Sequence, residues 1–153
     1  MTAGRAFPGL VLVGFMGSGK SSVGREVARS VRAEFVDTDE RIERAAGKPI
    51  REIFAEEGEP AFRERERAAL RDVLSVPGRV VATGGGAFED PSNRERLKAY
   101  APVVYLEASP EAILARLPAD SRRPLLRHGE REKVVRELLA LRVPAYREAN
   151  HAV

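Results

Sequence analysis

A glycine-rich stretch between an apolar run and a helical pattern limits the possible folds of this chain more than any other segment. Gly14, Gly19, Lys20 and Ser21 stand at the spacing G-x-x-x-x-G-K-[ST], directly after the apolar run Leu10–Val13. Glycines here let backbone N–H groups converge on phosphate oxygens, and the following helix directs its positive end at the same point. Lys20 can then reach the β- and γ-phosphates of a nucleotide, and the Ser21 hydroxyl can hold Mg²⁺. A turn without a ligand is the alternative, but the flanking strand and helix favour a phosphate-binding loop.

The composition indicates a single domain and argues against several classes of protein. With 153 residues and 43% hydrophobic content, the chain can bury a substantial core. It has no cysteine, which excludes disulfides and thiolate metal sites, and no signal peptide or membrane-length apolar run is visible. Its 26 basic and 23 acidic residues are interspersed as on solvated helix faces, so we expect no nucleic-acid or membrane partner. We expect a cytoplasmic monomer.

Short apolar runs alternate with helical patterns along the chain. The runs predict strands at about 9–14, 34–36, 79–83 and 102–106, and one that begins at 151–153. Helices are predicted at about 22–32, 39–46, 50–56, 59–76, 91–100, 110–117 and 130–148. This alternation predicts an α/β fold with a parallel sheet covered on both faces by helices.

Two helices carry a pattern that predicts which side faces the core. Val23, Val27 and Val31 recur at every fourth position and predict one apolar face on the first helix. The inner side of the helix over 59–76 is predicted to be Phe62, Ala69, Leu70, Val73 and Leu74. Thr38 or Asp39 is expected to cap the helix after the second strand.

Polar or glycine-rich clusters follow each of the first three strands. The phosphate loop follows the first, Asp37 and Asp39 end the second, and Gly84–Gly86 follow the third. Ligands in parallel sheets bind beyond the carboxyl ends of the strands, so we expect these clusters to share one rim. Asp37 is a candidate to orient Mg²⁺ or its waters, and Asp39 to accept hydrogen bonds from hydroxyls. A helix cap is the alternative for either aspartate.

The phosphate loop predicts nucleotide binding but does not identify the acceptor of a phosphoryl group. The chain lacks the Asn-Lys-x-Asp motif that would recognise guanine, and it contains no glutamine that could position water. These features argue against a GTPase. A small-molecule kinase needs instead a pocket that holds an alcohol in line with the γ-phosphate, with cations around the transferred group.

Six sequence elements resemble those of the shikimate kinase family, in order and with compatible spacing from about residue 10 to 150. They are Gly14–Ser21, Asp37-Thr38-Asp39, Phe62-Arg63, Gly84–Gly86, Arg123-Pro124-Leu125-Leu126 and Arg142-Val143-Pro144-Ala145-Tyr146-Arg147. The resemblance implies a P-loop NTPase-like three-layer sandwich with a central parallel sheet, of the nucleoside monophosphate kinase type. It implies that ATP, with Mg²⁺, phosphorylates the 3-hydroxyl of shikimate on the route to chorismate and the aromatic amino acids.

The resemblance also implies roles around the nucleotide. The ATP phosphates would be bound by Gly17, Ser18, Gly19, Lys20, Ser21 and Ser22. Ser21 would bind Mg²⁺ directly, and Asp37 would support the ion through water. Arg123, in a lid, would swing in to contact ATP and stabilise charge on the γ-phosphate, as arginine fingers do in other phosphoryl-transfer systems.

At the acceptor, the resemblance implies two arginines, one aspartate and the glycine triplet. Arg63 and Arg142 would pair with the shikimate carboxylate, while Asp39 would bind ring hydroxyls and is a candidate to accept the proton of the attacking one. Gly84, Gly85 and Gly86 would line the same site, with the N–H of Gly85 on the substrate. By pattern alone, Arg63 is more readily a solvated ion-pair partner, and Arg142 an ordinary cation at a helix end.

The resemblance further divides the single domain of residues 1–153. It predicts a core (9–111 and 128–153), a mobile lid (about 112–127) and a shikimate-binding helical segment (about 38–66). Family members normally continue with a completed last strand and a final helix, which are cut short here at Val153. Two alternatives stay open: a gluconate-type kinase that shares the phosphate loop, and a nucleotide- or substrate-binding module that lacks catalysis because of the truncation.

Overall fold

The computed structural model describes residues 6–116 and 128–153. Its strands are β1 (Leu10–Val13), β2 (Phe35–Asp37), β3 (Val80–Ala82), β4 (Val103–Tyr105) and β5 (His151–Ala152). Its helices are α1 (Lys20–Val31), α2 (Thr38–Ala46), α3 (Ile50–Glu57), α4 (Glu59–Val73), α5 (Pro91–Tyr100), α6 (Pro110–Arg116) and α7 (His128–Tyr146). A 3-10 turn, Ala87–Glu89, precedes α5. Every predicted strand is therefore present, within a few residues of its expected place.

The five strands form one parallel sheet in the order β2-β3-β1-β4-β5. Central strands are buried on both sides, as the 0–1% exposure of Val80, Val81 and Ala82 in β3 illustrates. Because β1, β2 and β3 are parallel neighbours, the phosphate loop, the aspartates after β2 and the glycines after β3 leave the sheet at one edge. The predicted α/β fold and the predicted shared rim are confirmed.

Helices cover both faces of the sheet and make three layers. On one face, Val11 packs in a large apolar cluster with Phe88 from the 3-10 turn and Tyr146 from α7. On the other, Leu12 packs with Ala28 of α1. Successive residues of β1 point to opposite faces, so this one strand contributes to both cores.

The predicted valine face of α1 is wrong for two of its three residues. Val23 and Val31 are each 40% exposed, whereas Val27 packs at the edge of the core. The helix instead turns Gly24 and Ala28 toward the sheet. A Cβ on Gly24 would overlap the ring of Phe35, so a small residue sets how closely α1 approaches β2.

The helical segment that follows β2 builds an apolar cluster of its own. Ile42, Ile53 and Phe62 join α2, α3 and α4 outside the sheet. The predicted inner side of α4 is confirmed: Phe62, Leu70 and Val73 are buried, and Ala69 and Leu74 are partly buried against core clusters. This packing fixes the direction in which α4 presents Arg63.

The cap of α2 differs from the prediction. Asp37, rather than Thr38 or Asp39, accepts hydrogen bonds at Oδ1 from the N–H groups of Asp39 (2.9 Å) and Glu40 (3.4 Å). Thr38 is fully buried, and its Oγ1 accepts a hydrogen bond of 3.2 Å from the N–H of Gly84. The reason is that α2 already begins at Thr38, directly after β2 ends, so the capping position falls on Asp37.

Two further findings concern the chain as a whole. None of the described helices is both long and apolar enough to cross a membrane. Of the lid predicted at 112–127, only 112–116 are described, as part of α6, and Arg123 lies outside the described residues. The division into core, lid and substrate-binding segment therefore stays a prediction.

Candidate active site

The phosphate loop turns through backbone conformations that only glycine adopts easily. Gly17 has φ +77° and Gly19 has φ +98°, both in the left-handed region. Gly19 is also the residue before α1, and no side chain caps this helix. The first N–H groups of α1 are therefore left to point toward a ligand, which is the arrangement that binds phosphate.

Lys20 opens α1 and folds back over the loop. Its Nζ donates hydrogen bonds to the carbonyl oxygens of Gly14 (2.6 Å) and Phe15 (3.0 Å). Burial lowers the pKa of Lys20 to about 8, although the charges of Asp39 and Asp37 counteract part of this shift. Lys20 is therefore a largely desolvated cation whose charged form is favoured by the two nearby carboxylates.

Ser21 and Asp37 come together at the same edge. Ser21 Oγ donates a hydrogen bond of 3.0 Å to Asp37 Oδ2, while the other oxygen of Asp37 caps α2. One carboxylate therefore caps α2 and also contacts the phosphate loop, while a role of Asp37 toward Mg²⁺ stays a prediction. Ser18 is buried, with an Oγ that lacks a hydrogen-bond partner among the described residues, and Ser22 is exposed at the loop.

A cavity of about 290 Å³ joins these groups to the end of β3. Its lining includes five residues of the loop and α1: Gly17, Gly19, Lys20, Ser21 and Ser22. Asp37, Asp39 and Gly85 also line it. Phosphate-loop residues and predicted acceptor-site residues therefore line one continuous space.

Three predicted acceptor-site side chains each lie against one glycine of the triplet. A Cβ on Gly84 would stand 2.5 Å from Asp39 Oδ1, and one on Gly85 would stand 2.8 Å from an Nη of Arg142. A Cβ on Gly86 would stand 2.7 Å from the nearer Nη of Arg63. None of these glycines has positive φ, so the requirement for glycine here is close approach rather than backbone conformation. The triplet brings together side chains from α2, α4 and α7.

Arg63 is anchored by acidic residues on its own helix. Its NH1 group donates a hydrogen bond of 3.0 Å to Glu66, whose side chain is 1% exposed, and Glu59 lies 3.5 Å away. Burial raises the pKa of Glu66, and the charge of Arg63 opposes that rise. Arg63 does form an ion pair, but the pair is not solvated, because its main partner, Glu66, is buried.

Arg142 lies near the end of α7 with only 12% of its side chain exposed. Its guanidinium sits 5.5 Å from the centre of the Phe15 ring, a favourable distance for a cation. Nε lies 3.5 Å from Glu89 Oε2 but makes no hydrogen bond to a described residue. An exposed helix-end cation does not have these surroundings, and the group faces the triplet instead.

Asp39 is a carboxylate in an unfavourable environment for charge. Burial, reinforced by the negative charges of Asp37 and Glu66, raises its pKa to about 6, while Lys20 acts in the opposite direction. A carboxylate with a raised pKa, beside a phosphate loop, has the proton affinity that a general base requires.

Three residues near this site were not predicted from the sequence. Glu66 follows Arg63 by three positions, a spacing that does signal an ion pair but not its burial. Tyr146 belongs to a motif that was noted, yet its contact with the Gly85 carbonyl oxygen was not foreseen. Arg116 donates a hydrogen bond of 3.1 Å to the Gly17 carbonyl oxygen across 99 positions of sequence, and no local pattern signals it.

Comparisons with known proteins agree with one another. A family model described as shikimate kinase matches residues 16–153. The shikimate kinase of Pseudomonas savastanoi pv. phaseolicola is 49% identical over 139 residues, which is 91% of this chain and 81% of that protein. The shikimate kinase of Paramagnetospirillum magneticum is 44% identical over 150 residues, 98% of this chain and 77% of that protein.

Among solved structures, one kind of match is similar in both fold and sequence and another in fold alone. A shikimate kinase from Acinetobacter baumannii in complex with shikimate matches with a TM-score of 0.90 at 43% identity, over 97% of this chain and 84% of that one. A gluconokinase from Sinorhizobium meliloti 1021 matches with a TM-score of 0.51 at 23% identity, over 88% of this chain and 77% of that one, which shows a shared fold alone. Since a family model and close relatives cover most of its length, this chain belongs to the shikimate kinase family.

Proposed function

We propose that this chain phosphorylates the 3-hydroxyl of shikimate with ATP, giving shikimate 3-phosphate and ADP. The observation that carries the proposal is the contact of three successive glycines with Asp39, Arg142 and Arg63, next to the phosphate loop. Family membership supports the reaction, and this arrangement supports the residue roles that follow.

The two arginines are proposed to hold the carboxylate of shikimate. Arg63 and Arg142 approach the same short backbone segment from α4 and α7, and each presents guanidinium N–H groups there. Two planar cations on one spot suit a planar acid group, since each can donate two parallel hydrogen bonds. The N–H of Gly85, in the same triplet, is proposed to contact the substrate.

Asp39 is proposed to bind ring hydroxyls and to accept the proton of the attacking one. As the substrate oxygen bonds to the γ-phosphorus, the bond from that phosphorus to the departing ADP oxygen breaks, and the hydroxyl proton passes to Asp39. A pKa of about 6 suits this role, because the carboxylate is ionised at neutral pH yet basic enough to take the proton.

The phosphate loop is proposed to hold the nucleotide. Lys20 would leave the carbonyl oxygens that it now contacts and place its charge on the β- and γ-phosphates. Ser21 Oγ and Asp37 Oδ2 are oxygen donors 3.0 Å apart, which fits the preference of Mg²⁺ for oxygen ligands. Ser21 would bind the ion directly and Asp37 through water. When bound, Mg²⁺ neutralises charge on the phosphates.

Two arginines complete the proposed nucleotide end. Arg116 already contacts the loop at Gly17, which supports a place beside the bound nucleotide. Arg123 is proposed, on family resemblance, to stabilise charge on the γ-phosphate from a lid over 112–127. We also propose that the protein works as a monomer in the cytoplasm, in keeping with its composition.

The proposal is tested with a coupled assay of ADP release and with calorimetry of ATP binding. Asp39→Asn and Arg142→Ala should each abolish shikimate-dependent ADP release. Asp39→Asn removes the proposed base, and Arg142→Ala removes one of the two arginines proposed to bind the carboxylate. Both should keep ATP binding, since neither group belongs to the phosphate loop. Arg147→Ala is the matched control: this exposed residue directly follows the same helix and should leave turnover unchanged.

Three results would contradict the proposal. Unchanged turnover in both site variants would remove the residue assignment. Phosphorylation of gluconate but not of shikimate would favour the gluconate-type kinase. Binding of shikimate without any release of ADP would indicate a binding module that has no catalytic activity.

A further inference from the structure

Tyr146 is a fully buried residue that carries a polar hydroxyl into the active-site wall. It is 0% exposed, and its hydroxyl donates a hydrogen bond to the carbonyl oxygen of Gly85. Its ring stacks on Tyr105 of β4, with ring centres 4.9 Å apart and planes inclined by 28°. Stacking on a strand of the sheet therefore fixes the Tyr146 ring, which places its hydroxyl at the Gly85 carbonyl.

The three carbonyl groups of the triplet are held in different ways. The carbonyl oxygens of Gly84 and Gly86 accept hydrogen bonds of 3.2 Å from the N–H groups of Ala87 and Glu89, within the same local turn. The middle carbonyl, that of Gly85, is bonded from α7 by Tyr146, 61 positions further along the chain. Glycine restrains its own backbone weakly, so the bond from Tyr146 sets the plane of the peptide between Gly85 and Gly86.

This peptide joins the two glycines against which the proposed acid-binding groups lie. A guanidinium nitrogen of Arg142 lies 2.8 Å from the position of a Cβ on Gly85, and one of Arg63 lies 2.7 Å from that on Gly86. Tyr146 and Arg142 are one helical turn apart on α7, so the same helix supplies a cation and the group that orients the backbone beneath it. Burial raises the pKa of Tyr146, which keeps the hydroxyl a donor across the physiological range.

We propose that Tyr146 is a positioning residue for acid recognition: it orients the Gly85–Gly86 peptide so that Arg63 and Arg142 close on the carboxylate of the substrate. It touches neither the transferred phosphoryl group nor the hydroxyl that attacks it. The proposal rests on the proposed function, because it assigns Tyr146 to the carboxylate end of that same site.

The test is Tyr146→Phe, which removes one hydroxyl and keeps the stacked ring. Steady-state kinetics are measured with shikimate and with its uncharged methyl ester. We expect KM for shikimate to rise about tenfold, because the Gly85 carbonyl loses its donor and the peptide is free to turn. KM for ATP should stay within about twofold, and the preference in kcat/KM for the acid over the ester should fall by about the same tenfold factor.

Tyr105→Phe is the matched control, because it likewise removes one hydroxyl and keeps the ring that stacks on Tyr146. It should leave the acid preference unchanged. A merely structural role for Tyr146 would lower kcat/KM for the acid and the ester alike, and that result would overturn the inference. An unchanged KM for shikimate in a variant that is folded would overturn it equally.

Thermal unfolding of each variant accompanies the kinetics. If Tyr146→Phe does not fold in plain buffer, all the proteins are compared in trimethylamine N-oxide, which favours the compact state. Failure to fold even there would assign the hydroxyl to the core and overturn the inference. A wild-type protein that does not phosphorylate shikimate would refute the proposed function itself, whereas an active wild type with an unaltered acid preference in the variant would refute this inference alone.

Discussion

Arg63 neutralises a buried carboxylate and also faces the proposed acid site, and a pair of substitutions can separate these two roles. Glu66 has a side chain that is 1% exposed, and it accepts a hydrogen bond of 3.0 Å from Arg63. Arg63→Met leaves this carboxylate buried without its main partner. Removal of one member of a buried pair costs about 3–5 kcal/mol. Because Arg63 is itself 22% exposed, we expect the lower end of that range.

The second variant, Arg63→Met/Glu66→Met, removes both charges and keeps the side-chain volumes similar. Replacement of a buried ion pair by apolar groups is often neutral or stabilising, so the free energy of unfolding should recover most of its loss. In a thermal unfolding experiment, a loss of about 3 kcal/mol corresponds to roughly 6–12 °C in Tm for a chain of this size. Neither variant should turn over shikimate, because neither retains the guanidinium.

The pKa of Glu66 also predicts how the stability of the two variants changes with pH. Burial raises the pKa of Glu66, and the loss of Arg63 removes the charge that opposes that rise. When the pKa of a carboxyl is higher in the folded state than in the unfolded state, its contribution to stability is fully present below the unfolded-state pKa. This contribution is lost as the pH rises through the folded-state pKa. The free energy of unfolding of Arg63→Met should therefore be closest to that of the double variant at acidic pH, and it should fall below that value as the pH rises.

Two results would refute this reasoning. A double variant as unstable as Arg63→Met would mean that Arg63 stabilises the fold through contacts other than Glu66. A difference between the two variants that does not change with pH would mean that the charge of Glu66 is not what destabilises the single variant.

Three other predictions follow from the site. Gly84→Ala should reduce shikimate turnover at least tenfold, since a Cβ there would stand 2.5 Å from Asp39 Oδ1. Gly47→Ala is the control, because Gly47 has φ +73° and open space around it. This control should lower the Tm but leave KM for shikimate unchanged. In a pH profile, kcat/KM should fall below about pH 6, as Asp39 gains a proton, and above about pH 8, as Lys20 loses one; a flat profile between pH 5 and 9 would contradict both assignments. Ser21→Ala should raise the Mg²⁺ concentration needed for half-maximal ADP release at least severalfold, while calorimetry should show unchanged binding of shikimate; an unaltered Mg²⁺ titration would remove Ser21 from the proposed metal site.

Features encoded within a few consecutive residues could be predicted from the sequence. The phosphate loop is contiguous, so its glycines, Lys20 and Ser21 follow from spacing, and the flanking strand and helix follow from local patterns. The parallel sheet could be predicted too, because βαβ alternation leaves few other topologies. Strand ends at one rim then bring Asp37, Asp39 and the glycine triplet near the loop.

Local periodicity was not sufficient where close packing decides the outcome. On α1, the valine pattern suggested the wrong face, because the sheet beside Phe35 leaves room only for Gly24. The capping position of α2 depended on where β2 ends, which a shift of one residue alters. Packing of this kind is set by atoms on other elements, and no pattern within one helix reports them.

The phosphate loop, the α/β fold and the motifs of one kinase family can be read from the amino-acid sequence, because each of them is encoded in short, ordered segments. The folded chain was needed to show that Asp39, Arg142 and Arg63 each lie against one glycine of a triplet, and that Tyr146 bonds to the middle one. These contacts join residues that are tens of positions apart. They form only when the sheet and its helices pack to a definite separation, and that separation is a property of the whole fold.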